Sequence, residues 1–102
     1  MDANKAYIGT ELKFAIAIEA EGFSMEDDNF TVELRCGLKS ITLDKGDCIE
    51  DASGNWYITF DSRELGSGIV RAIITAYVPD DDFDDGFRTE VAKIDLIHIN
   101  NL

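Results

Sequence analysis

The chain has 102 residues, 45% of them hydrophobic and 29% charged. That is enough apolar content for one self-sufficient domain over residues 1–102, and more than intrinsic disorder allows. Its 21 acidic residues against 9 basic ones give a formal net charge of −12, a field that repels nucleic-acid backbones and anionic lipid headgroups, so no nucleic acid partner is expected. The start, MDANKAYIGTELKF, is neither basic nor apolar enough for a signal peptide, and no segment approaches the ~20 apolar residues of a membrane span. The expectation is no membrane insertion and, for the chain as given, a cytoplasmic location.

Taken in chain order, ELKFAIAIEAEG places Leu12, Phe14, Ile16, Ile18 and Ala20 on one side and Lys13, Ala15, Ala17, Glu19 and Glu21 on the other. A period of two predicts a strand with one buried face. After the polar turn GFSMEDDN, the stretch FTVELRCGL points Phe30, Val32, Leu34, Cys36 and Leu38 inward and predicts a second half-buried strand. Two shorter strands are expected at Ser40–Leu43 and Asp47–Asp51, divided by the turn DKG. In WYITF, Trp56, Ile58 and Phe60 share a side and are the expected centre of the core, each aromatic bringing ~150–250 Å² of burial.

DSRELGSG reads as a corner, and IVRAIITAYV, apolar on both faces, as a central strand covered on both sides. FRTEVAKIDLIHI resumes the strand pattern, but its apolar phase slips: Ile94 and Leu96 share one parity, Ile97 and Ile99 the other. A β-bulge or a change of sheet accounts for such a slip. Helical periodicity is absent. About seven short strands predict an all-β fold, an antiparallel two-sheet β-sandwich, immunoglobulin-like in the loose sense. The antibody order of cysteine, tryptophan, cysteine does not occur, because Trp56 follows both Cys36 and Cys48.

The stretch YVPDDDFDDGFR carries five aspartates in six positions beside the single proline. An EF-hand loop needs oxygen ligands at its positions 1, 3 and 5, glycine at 6 and glutamate at 12. Counting from Asp80 puts Asp85 at position 6 and Val91 at 12; counting from Asp81 puts Phe83 at 3 and Ala92 at 12. Neither register fits, although five crowded carboxylates could still attract a loosely held calcium ion. The plain reading is a solvated hairpin connection: Pro79 stops ladder pairing and Gly86 lets the backbone return. Its length and its lone aromatic, Phe83, point to use as a contact surface. The candidate partner-binding residues are therefore Asp80, Asp81, Asp82, Phe83, Asp84, Asp85 and Arg88.

Catalytic signatures are missing. His98 is the single histidine, no G-x-S-x-G occurs, and the GSG at Gly66–Gly68 precedes a strand instead of opening a helix. Two cysteines and one histidine cannot complete a four-ligand zinc site, and no cofactor is expected. Cys36 and Cys48 read as free thiols in a reducing compartment. For sugar binding the candidates are Trp56, Tyr7, Tyr57 and Tyr77, of which Tyr57 and Tyr77 lie on the phase opposite the core.

From Trp56 the chain runs WYITFDSRELGSGIVRAIITAYVPDDDFDDGFRTEVAKIDL, preceded by a strand start G-x-x-L-K-F at Gly9–Phe14. An aromatic strand, an L-G-x-G turn, a long strand and a proline–aspartate–phenylalanine–glycine–arginine loop follow one another. In that order the stretch resembles small β-sandwich modules of phage and prophage tail or baseplate proteins. The resemblance covers about half the chain and carries over no catalytic residue. It implies a non-catalytic structural or attachment module that meets a protein partner or its own copies, and a virion-associated location as the alternative to a cytoplasmic one. The competing expectation is a ligand-binding sandwich that uses the Asp80–Asp85 loop for calcium or the exposed tyrosines for carbohydrate.

Overall fold

The computed structural model describes residues 5–102. Eight strands are present in it: β1 Lys5–Tyr7, β2 Glu11–Ile16, β3 Phe30–Cys36, β4 Lys39–Asp44, β5 Ile49–Glu50, β6 Trp56–Asp61, β7 Gly68–Pro79 and β8 Phe87–Asn100. A 3-10 turn at Lys45–Asp47 and one helical turn, α1 (Ser62–Leu65), are the other regular pieces. The strands form a five-stranded sheet of order β1-β8-β7-β3-β4 and a three-stranded sheet of order β2-β6-β5. Pairing is antiparallel throughout except that β1 runs parallel to β8, Lys5 opposite His98 and Tyr7 opposite Asn100.

The two sheets share one core. Phe30, Val32, Leu34 and Cys36 of β3 alternate inward with Val70, Ala72, Ile74, Ala76 and Val78 of β7, and the small sheet answers with Ile58 and Phe60. Phe14 stacks on Phe60 at 6.0 Å between ring centres, and Phe30 meets Trp56 edge-on at 5.5 Å. Full burial of a side chain such as Phe30 or Leu34 is worth about 1.5–3 kcal/mol, which makes the inward phase of β3 decisive for its register. Lys45 locks the rim: its ammonium donates to the carbonyls of Glu26 and Asp28 and lies 5.6 Å over the Trp56 ring.

The phase slip in the last strand is a β-bulge. Val70 pairs with Ile97 while Arg71 pairs with Asp95, leaving Leu96 as the extra residue. That single insertion returns Ile97 and Ile99 to the core face after Ala92 and Ile94 have occupied the same face upstream.

Several expectations change. β2 ends at Ile16 and not near Glu21, because its partner β6 begins at Trp56, directly opposite Ile16; the predicted alternation continues through Ile18 and Ala20 in a segment without a strand partner. Leu38 is fully exposed, since β3 and β4 are joined by the two-residue turn Gly37-Leu38 and its side chain lies beyond the end of the ladder. Trp56 is only partly buried and sits at the edge of the core, whose centre is Ile58 with Phe30 and Leu34. β7 is central in its sheet but covered on one face only: Ile69, Ile73, Thr75 and Tyr77 look outward and remain partly or largely exposed.

Candidate functional site

β7 and β8, with 12 and 14 residues, are at least twice as long as the six-residue strands β2 and β6 that lie across the core from them. The hairpin therefore outruns its cover. Beyond Ile16 the unpaired segment 17–21 crosses the inner face of the hairpin, and the Arg88 guanidinium donates to the Glu21 carbonyl at 3.1 Å. This segment and the hairpin enclose an open groove of about 270 Å³. Ala17, Ile18 and Ala20 form one wall and Ile74, Ala76 and Ile94 the floor, with Glu19 and Glu90 exposed beside it.

At the tip, the aspartates build the loop. The Asp80 carboxylate accepts from the Asp82 amide at 3.0 Å, the Asp85 carboxylate accepts from the Phe87 amide at 3.0 Å, and the Asp80 amide donates to the Gly86 carbonyl at 2.9 Å. Gly86 closes the turn at a φ of +82°, a region that favours glycine. Arg88 holds Asp80 in an ion pair and also reaches Glu90 at 3.2 Å. The Asp82 amide and then the Arg88 guanidinium hold the Asp80 carboxyl below the usual carboxylate range. Asp81, Asp82 and Asp84 point their charge outward, and Phe83 is 48% exposed at the apex.

Of the seven residues predicted from sequence, the structure thus brings Asp80, Arg88 and, through the backbone, Asp82 into one network. Asp85 serves the return turn, and Phe83 joins it through its backbone, its amide donating to the Asp80 carbonyl at 3.3 Å and its carbonyl accepting from the Gly86 amide at 2.9 Å, while the side chains of Asp81, Phe83 and Asp84 are exposed. No group of three or more histidine, cysteine, aspartate or glutamate side chains is placed to hold a metal ion among the described residues. The acidic spacing is spent on turn-forming backbone contacts.

The other sequence candidates are scattered. The Tyr57 hydroxyl donates to Asp51 at 3.2 Å with the Lys13 ammonium 4.5 Å over its ring, which ties this tyrosine into the outer face of the small sheet. Tyr77 lines a shallow recess on the outer face of the large sheet with Phe87, Thr31, Asn29 and Asp85. Cys36 and Cys48 are free thiols; Cys36 is buried, and partial burial followed by the carboxylates of Asp47 and Asp44 pushes the Cys48 thiol up.

Sequence reasoning missed the flank of the hairpin. β8 has a strand neighbour on its far side only at His98–Asn100, where β1 docks, so the stretch from Phe87 to Ile97 is an open sheet edge among the described residues. Val91, 66% exposed, and Ile94, 47% exposed, lie along it. The signal was there in part, since β8 is the longest strand pattern in the chain, but which neighbour stops short of it is a tertiary fact. No helix among the described residues is long and apolar enough to cross a membrane. No protein-family model, curated protein or solved structure matches the chain.

Proposed function

We propose that this protein is a non-catalytic interaction module of a larger assembly, of the phage or prophage tail or baseplate kind, built as an immunoglobulin-like β-sandwich. The observation that carries the reading is the β7–β8 hairpin, which extends past its covering sheet and presents a half-exposed phenylalanine between outward carboxylates. Exposed apolar side chains concentrate there: Ile69, Phe83, Phe87, Val91 and Ile94 all belong to this hairpin. Such grouping on one element marks a contact surface, whereas single exposed apolar residues are ordinary.

The test is size-exclusion chromatography with light scattering on the protein alone and co-expressed with the products of its neighbouring reading frames. A complex or a defined oligomer is expected, and Phe83→Ala should weaken it; a monomer under every condition would reject the module. A second reading, carbohydrate binding, rests on the recess where Tyr77 and Phe87 lie beside Asn29 and Asp85, an aromatic surface next to polar groups that sugar hydroxyls can use. A glycan array that lights up and goes dark on Tyr77→Ala would favour it over the first.

A further inference from the structure

The ladder between β7 and β8 fixes which backbone groups of β8 face outward. The Tyr77 amide donates to the Asn29 carbonyl at 3.0 Å, away from β8, so the Tyr77/Thr89 pair is not a hydrogen-bonded one. Bonded and non-bonded pairs alternate along an antiparallel ladder, so Thr75/Val91 and Ile73/Lys93 are non-bonded as well. The N–H and C=O groups of Thr89, Val91 and Lys93 consequently point to the open edge, two residues apart, the spacing at which a further strand pairs. Beside them, the inner-face side chains Ala92 and Ile94 border the apolar groove walled by Ala17, Ile18 and Ala20.

We propose that this edge receives an extended segment of a partner protein as an added strand. The segment is apolar at the alternate positions that enter the groove and basic where it passes the hairpin tip. Charge selects that chemistry: Glu19 and Glu90 beside the groove, Glu21 and the five loop aspartates lie at this end of the hairpin, where Arg88 pairs with Asp80 and Glu90. A second copy is a poor occupant, because it brings the same net charge of −12. Arg88 and Glu90 on the inner face and the bulge at Leu96 also limit indiscriminate pairing to the short stretch between them. Main-chain bonds to Thr89, Val91 and Lys93 would supply affinity, and the groove selectivity. This inference rests on the interaction-module reading and names its partner class.

An end-blocked octapeptide of alternating valine and lysine serves as the probe, with alternating valine–glutamate and serine–lysine peptides as comparisons, titrated into 15N-labelled protein. Amide shifts confined to the region of Thr89–Asp95, slowed exchange at Val91 and Lys93, and binding at least tenfold weaker for both comparison peptides are expected. Val91→Pro removes an edge donor without breaking a β7–β8 bond and should weaken binding at least tenfold. Ile94→Glu, at a half-exposed site, should do the same if the proline variant folds poorly. Binding that these substitutions leave unchanged, shifts restricted to residues 80–85, equal binding of the valine–glutamate peptide, or dimerisation through the edge without peptide would each overturn strand addition. The module reading fails by a different measurement, the absence of any complex in light scattering.

Discussion

Ser62 is fully buried, and its hydroxyl ties the start of α1 to the β1–β2 turn just beyond the end of the β2–β6 ladder. Its oxygen accepts from the Gly9 amide at 2.8 Å and its proton goes to the Tyr7 carbonyl at 3.4 Å, while its own amide donates to the Thr10 carbonyl at 3.0 Å. Ser62→Ala keeps the last of these and removes the bonds to Gly9 and Tyr7, so a loss of about 0.5–1.5 kcal/mol is expected in urea unfolding, since the exposed Gly9 amide can turn to water. A comparable single-residue dependence holds at the loop. The Asp80 carboxyl is depressed by the Asp82 amide and by Arg88. Its bonds therefore contribute fully above the unfolded value of about 3.9, and the contribution is lost as pH falls through the lower folded value. Carboxyl NMR should give Asp80 a midpoint below that reference. Arg88→Ala should move it upward, only part of the way because the Asp82 amide remains. An unmoved midpoint would show that the ion pair does not hold the loop.

At the scale of elements, the bulge at Leu96 separates two deletions that look alike in sequence. Removing Leu96 removes the extra residue, so Asp95 stays outside opposite Arg71 and Ile97 inside opposite Val70. Removing Lys93 forces Leu96 into the ladder and turns Asp95 toward the core face, away from its 3.0 Å contact with Arg71. The second deletion is expected to cost about 1 kcal/mol more than the first, because Asp95 takes the half-exposed place of Ile94 while Ile94 turns to the outer face and loses its partial burial, and thermal unfolding of the two chains would check it. The same strand shows what a sequence makes legible. Period-two patterns located β2, β3, β6, β7 and β8 and the phase slip in β8, because core burial imposes the period directly. Strand ends were not legible: β2 stops where its antiparallel partner β6 begins, and Leu38 leaves the core because a two-residue turn claims it. Among the candidate site residues, the loop and its glycine turn were visible from proline, aspartate and glycine chemistry. The open edge of β8 was not, since it depends on β1 pairing with three residues of a much longer strand.

For the molecule as a whole, the excess of carboxylates acts over its full width. The structure measures 50 × 32 × 20 Å, so the screening length of about 30 Å at 0.01 M salt reaches across most of it and the ~8 Å at 0.15 M across a small part. At low salt each acidic residue opposes most of the others, while at physiological salt only near neighbours do. The ion pairs of Arg71 with Asp95 and Arg63 with Asp61 are exposed and work against this trend, but pairs of that kind are worth about 0–1 kcal/mol each. Repulsion among 21 acids should dominate. The melting temperature is therefore expected to rise by several degrees between 0.01 and 0.15 M sodium chloride and to change little from there to 0.3 M, as measured by calorimetry. Sucrose at matched osmolality should not reproduce the first step. A flat profile would mean that the paired charges offset the net excess, and a fall with added salt that they outweigh it.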